Sequence, residues 1–140
     1  MMKTLYETTV NNTGGRSGVV QSPDNTFMLE VATPQELGGK PTTATNPEQL
    51  FAAGYSACFN SALEAQLKKN NIKIEKSSVT ATVMLLTDPA DNGFKLEVEL
   101  EVKIDGLDDE TAKKYVKLAH DYCPYSKAIR GNVNVTVTVA

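Results

Sequence analysis

The stretch NPEQLFAAGYSACF, residues 46–59, decides how this chain folds. Asn46 is a good N-cap, Pro47 suits the first helical position, and Glu48 favours the positive end of a helix dipole. From Leu50 to Leu63 no side chain is charged, so the helix that follows is expected to be buried on most of its faces. It should run to about Lys69, where Lys68 and Lys69 complement the negative end and Asn70-Asn71 stops it. Leu50, Gly54, Ala57, Cys58, Ser61 and Ala65 fall within roughly a quarter to a third of its circumference. Gly54, Ala57 and Ser61 are small enough for another helix to come close, while Phe51, Tyr55 and Phe59 load the neighbouring face with aromatic area. Such a helix is covered either by a second copy of the chain or by the sheet and second helix of its own chain. We expect a two-fold homodimer.

Working outward, Leu5–Val10 reads as a strand, NNTGG (11–15) as a turn, and Gly18–Gln21 as extended chain again. Phe27, Leu29 and Val31 alternate into a third strand, so Arg16 sits at or just after the first turn of a small meander. The loop at 34–46 is long enough to be functional. Beyond the helix, 78–86 alternates as a strand and 94–104 does so without a break, with Glu and Lys on one face that we expect to be solvated. Asp108 caps a second helix with Ala112, Tyr115, Val116 and Ala119 on one stripe, and Pro124 breaks it just after Cys123. Val133, Val135, Val137 and Val139 alternate to the end. The expected fold class is α+β: antiparallel sheet packed on a long central buried helix and a second helix, in a single domain over residues 1–140.

A chain of 140 residues can hold a core without disulfides or metal. Its net charge of −3 argues against nucleic acid, which needs a concentrated positive patch. No apolar run is long enough to span a bilayer, and MMKTLYETTV lacks the apolar centre of a signal peptide. Two cysteines in such a chain point to a reducing cytoplasm. Two cysteines and one histidine, with no CxxC or HxxxH spacing, fall short of a metal set. We expect no metal, membrane or nucleic-acid partner.

A cysteine attacks as thiolate, and burial among aromatics raises a thiol's pKa. A reactive Cys58 therefore requires a cation from elsewhere; His120 could supply it, but Arg16 is always charged and offers a planar fork to a thiolate and a peroxide oxygen together. Glu48 is the candidate to orient it. Glu48 and Cys58 are ten positions apart, which on a straight helix separates their Cα atoms by ~15 Å. The helix must bend, begin later than Pro47, or take Glu48 from the other subunit; we favour the last. The bland readings stand beside these: Glu48 as first-turn decoration, Cys123 as one more buried small residue, and His120 as a surface or packing residue.

NPEQLFAAGYSACF, together with GGRSG (14–18) and CPYSKAIRGN (123–132), resembles the organic hydroperoxide resistance branch of the Ohr/OsmC superfamily. The likeness covers essentially the whole chain, with departures at Lys127 and Ile129. The resemblance implies an intertwined homodimer and a cysteine-based, lipoyl-dependent peroxidase. Cys58 would be the peroxidatic thiolate and become a sulfenic acid, and Cys123 would resolve it to a disulfide. Arg16 and Glu48 would activate the thiolate and bind the organic hydroperoxide. A lipoylated protein would donate electrons through an external dihydrolipoyl group, with no bound cofactor. The competing readings are a general thiol-disulfide oxidoreductase and a non-enzymatic dimer that binds an apolar ligand.

Overall fold

Asn46 caps the central helix as its sequence predicts: its side-chain Oδ1 accepts from the backbone N–H of Gln49 at 2.8 Å. The computed structural model describes residues 1–140, and in it this helix, α1, runs unbroken from Pro47 to Lys69. Asn71, at φ +56°, then turns the chain out of the helix. Helix start and stop both fall where the sequence places them, so the helix does not begin later than Pro47.

The chain forms two compact units, residues 1–50 and 51–140. In the first, β1 (Asn11–Thr13), β2 (Gly18–Gln21) and β3 (Met28–Val31) pair antiparallel in that order. The expected strand over Leu5–Val10 does not form: residues 1–10 are exposed and carry no regular structure. The reason lies in the register. Asn11 is opposite Gln21, and from Ser22 the partner chain leaves in a turn through Asn25, at φ +61°. Nothing remains in the unit for Val10 to pair with. The loop at 34–46 is tied back to the meander by Thr45, which exchanges backbone bonds with Glu30 and Ala32.

In the second unit, β4 (Lys76–Asp88) and β5 (Gly93–Asp105) make a long antiparallel hairpin. Alternation sorts its residues by face. Val98, Leu100, Val102 and Ile104 are buried, whereas Glu99, Glu101 and Lys103 are exposed beside Thr80 and Thr82. That outer face is solvated, as expected. Helix α2 (Asp109–Tyr122) starts at Asp108, whose carboxylate accepts from Thr111 N–H. It buries the predicted stripe of Ala112, Tyr115, Val116 and Ala119.

Pro124 does end α2, but it also opens a short helix, α3 (Pro124–Ile129), with Cys123 as the junction between the two. The last strand, β6 (Asn134–Val139), lies beside β5 and runs parallel to it. A purely antiparallel sheet is therefore not what forms. The α2–α3 segment carries the chain back to the starting end of β5, and a return of that kind delivers a parallel strand. The α+β class stands, with one meander and one mixed sheet.

Helix α1 buries Tyr55, Phe59, Leu63 and Leu67, one residue per helical turn, in a core shared with Val98, Leu100, Tyr115, Ala119 and Cys123. Its opposite stripe of Ala53, Ala57, Ser61 and Ala65 stays exposed. The chain's own sheet and second helix thus cover one face of α1 and leave the small-residue face open. No helix of the chain is long and apolar enough to cross a membrane.

Candidate functional site

Arg16 and Glu48 meet, as the sequence predicts for them. Arg16 stands in the β1–β2 turn, which Gly14 (φ +90°) and Gly15 (φ +61°) make possible. The turn is braced from within: Asn12 Oδ1 accepts from Gly15 N–H at 3.0 Å, and its Nδ2 donates to the carbonyls of Gly15 and Val19. From this platform the guanidinium reaches Glu48 with both prongs, Nη1 to Oε2 at 2.8 Å and Nη2 to Oε1 at 2.5 Å. A planar fork on a carboxylate fixes orientation as well as charge. Glu48 is largely buried, its side chain 15 % exposed against 36 % for Arg16. The hydrogen bond from Arg16 holds the Glu48 carboxyl below its ordinary value, although burial opposes this. The same bond raises Arg16, so the pair stays ionised. A pocket of about 470 Å³ opens beside the turn, between Ser17 and the Gly38–Thr42 stretch of the loop.

A carboxyl whose folded pKa is depressed contributes stability above its unfolded pKa, near ~4.3 for Glu, and loses it as pH falls through the folded value. Glu48→Gln should therefore be less stable than the parent at about pH 6, with the gap shrinking toward about pH 3. Urea unfolding at the two pH values checks this; a gap independent of pH would contradict it.

Cys58 and Cys123 come together in the second unit, both as free thiols. Cys58 is half-buried on α1, and Cys123 is completely buried at the α2–α3 junction. Burial pushes the Cys58 thiol above its ordinary value. The backbone N–H of Tyr125 pulls the other way, and the neighbouring Cys123 side chain adds to the rise. In this arrangement burial works against thiolate formation at Cys58.

An aromatic wall lines this part of the unit. Phe51 and Tyr125 stack edge-on at 6.1 Å between centroids, Phe51 and Tyr55 at 6.2 Å, and Tyr55 and Tyr125 lie 5.7 Å apart. Gly54 permits it, because a Cβ there would collide with the Tyr125 hydroxyl. Behind the wall runs a polar chain that sequence reasoning did not find. Tyr55 Oη and Ser126 Oγ are hydrogen-bonded at 2.6 Å, and Ser126 Oγ and His120 Nδ1 at 2.9 Å. Tyr55 and Ser126 are 71 positions apart, so only the tertiary fold reveals the link. Its signal was the polar tip of Tyr55 in an otherwise apolar stripe, a hydroxyl that must find a partner when buried. Nowhere does a cluster of three His, Cys, Asp or Glu converge as a metal would require.

The family profile described as OsmC-like protein matches residues 38–138. An organic hydroperoxide resistance protein-like 2 of Staphylococcus epidermidis is 51% identical over 139 residues, covering 99% of this chain and 98% of that protein. The organic hydroperoxide resistance protein OhrA of Bacillus subtilis is 49% identical over 141 residues, covering 100% and 99%. Among solved structures, an organic hydroperoxide resistance protein OsmC from Legionella pneumophila superposes with a TM-score of 0.94 at 48% identity, covering 99% of each chain.

Proposed function

Because this chain belongs to the OsmC-like family, in its organic hydroperoxide resistance branch, we propose that it is a cysteine-based peroxidase that reduces organic hydroperoxides to alcohols. The observation that carries the proposal is the meeting of two free thiols, one half-buried and one fully buried, beside an aromatic wall. Cys58, as thiolate, attacks the distal oxygen of the hydroperoxide; the O–O bond breaks, an alcohol departs, and Cys58 becomes a sulfenic acid. Cys123 then displaces the sulfenic oxygen as water and closes a disulfide. A dihydrolipoyl group of a lipoylated protein reopens it by thiol-disulfide exchange. No resident cofactor takes part.

Arg16 supplies the cation that a protonated Cys58 lacks, and Glu48 aims it. The supporting geometry is the two-pronged pair itself, which is oriented and permanently ionised. The aromatic surroundings favour alkyl or fatty-acid hydroperoxides over the small, polar hydrogen peroxide. We further propose a homodimer working in the cytoplasm. The open Ala53, Ala57, Ser61, Ala65 stripe of α1 and the exposed Leu5 and Tyr6 of the N-terminal arm are apolar surfaces that a second copy would cover. In such a dimer Glu48 of one subunit can serve the other's Cys58.

Stopped-flow oxidation of the reduced protein by cumene hydroperoxide and by hydrogen peroxide tests the reading. The organic peroxide is expected to react faster by orders of magnitude and to yield a Cys58–Cys123 disulfide by non-reducing mass analysis. Cys123→Ser should stop at the sulfenic acid. Slow, indiscriminate oxidation without a disulfide would defeat the proposal.

A further inference from the structure

Cys123 has no water contact: its exposure is 0%. To attack Cys58 it must nevertheless lose a proton, and a thiolate formed in an apolar interior is costly unless the proton has somewhere to go. The polar chain behind the aromatic wall leads outward from the core cluster that holds both Cys123 and Tyr55, which lie close enough for charge on one to act on the other. It starts at Tyr55, 0% exposed, passes Ser126, 1% exposed, and ends at half-buried His120. His120 in turn lines a surface pocket of about 300 Å³ with Arg130, Asn132 and Asn134.

Each link is a group that can both accept and donate. Tyr55 belongs to the same core cluster as Cys123 and precedes Cys58 by three positions on α1. Ser126 follows Cys123 by three positions across the α2–α3 junction. We propose that Tyr55, Ser126 and His120 form a relay that removes the Cys123 proton to solvent as its sulfur attacks Cys58. The proposal rests on the redox pairing of the two cysteines set out above.

The step balances. The Cys123 proton passes to the Tyr55 oxygen, the Tyr55 proton to Ser126, and the Ser126 proton to Nδ1 of His120, which releases one to solvent. The Cys123 sulfur is oxidised as the S–S bond forms, and the bond from Cys58 sulfur to its leaving group breaks. Where Cys58 is a sulfenic acid, that sulfur is reduced and hydroxide leaves, taking a proton to depart as water.

His120 is suited to be the receiving end. Burial, and then the charge of Arg130, lower its pKa and so favour the neutral ring; in the tautomer with its proton on Nε2, Nδ1 accepts from the Ser126 hydroxyl. The charged groups around it are Lys117 and Asp121 on its own helix and Arg130 beyond α3, whose Nη2 donates to the His120 carbonyl at 2.5 Å. From α1 it meets the Phe59 ring, 6.3 Å away, and the uncharged Tyr55 through Ser126. The residues that share its pocket from Asn132 to Val135 are also uncharged. Tyr55, Ser126 and His120 are thus positioning residues that act through Cys123.

The test bypasses peroxide. Ellman's reagent converts Cys58 of the reduced protein to a mixed disulfide, and attack by Cys123 then releases the second coloured thiolate, a leaving group that needs no proton. His120→Gln should slow this release by ~10²-fold at pH 7, within the range that a positioned base contributes. The deficit should shrink to within about threefold near pH 9.5, where abundant hydroxide that reaches Cys123 through local opening takes the proton in place of the relay. Tyr55→Phe, which keeps the ring and removes only the hydroxyl, should reproduce the profile. No deficit in either variant, or one equally large at both pH values, would overturn the relay; a purely structural role gives the latter. Failure of the peroxide experiment with this profile intact would sink the peroxidase and leave the relay standing.

Discussion

Cys58→Ser is expected to lose organic hydroperoxide reduction by more than about 10³-fold, down to the uncatalysed rate, while melting within a few degrees of the parent. The size of the loss follows from the nucleophile. An alcohol is far less acidic than a thiol and is not activated by the same cation, and removal of a covalent nucleophile leaves only what binding alone can do. The small effect on stability follows from place. Cys58 is only half-buried on α1, whereas the stripe that holds the helix in the core is Tyr55, Phe59, Leu63 and Leu67. Peroxide consumption with a dihydrolipoyl reductant, beside a thermal melt, reads both quantities. Retained turnover would return Cys58 to the role of a packing residue and revive the apolar-ligand module.

Arg16→Ala carries the second-largest effect, a fall of ~10²–10³-fold in the rate of Cys58 oxidation, the range found when one donor to a developing anion is removed. Burial holds the Cys58 thiol protonated, and only the Tyr125 N–H works against this. Without a cation the thiolate is a small fraction at neutral pH. The substitution also strands Glu48, whose side chain is 15 % exposed, with its partner gone and desolvation left to raise its carboxyl. Arg16→Ala paired with Glu48→Gln should therefore cost much less than the sum of the two single changes, the signature of residues that act as a unit. Stopped-flow oxidation of the three variants decides it, and strict additivity would separate the two roles. Circular dichroism should show the fold unchanged, because Arg16 stands in a turn that Asn12 and the glycines hold without it.

Where local chemistry fixes structure, the sequence was legible. Asn46, Pro47 and Glu48 mark a helix start, and Asn71 takes the left-handed turn that ends it. The unbroken alternation of Phe94–Ile104 becomes β5, and Asp108 caps α2 through Thr111. The pairing of Arg16 with Glu48 was inferred because a half-buried cation wants a carboxylate. What escaped depends on distant partners. Val10 alternates as a strand residue should, yet its neighbour in the meander turns away at Ser22. Valines from 133 to 139 announce a strand without saying which way it lies against β5. The Tyr55–Ser126–His120 chain joins two helices and a junction that no spacing rule connects. That Cys58 and Cys123 share one site was likewise unavailable from spacing; it came from the resemblance to a family and from the fold.

The parallel seating of β6 bears on how the molecule assembles in time. The β4–β5 hairpin closes over a few residues around Asn92, a local event with little loop entropy to overcome. β6 can join β5 only after the whole of α2 and α3 has been laid down, and contacts of such sequence separation form slowly. The junction holding Cys123 and Ser126 belongs to that late segment. During folding, then, the hairpin exists before the buried thiol has a place, and a newly made chain passes through a stage in which Cys123 is open to solvent and to other thiols. Pulse-labelling hydrogen exchange should find the amides of β5 that face β4 protected before those of β6, and simultaneous protection would refute this order.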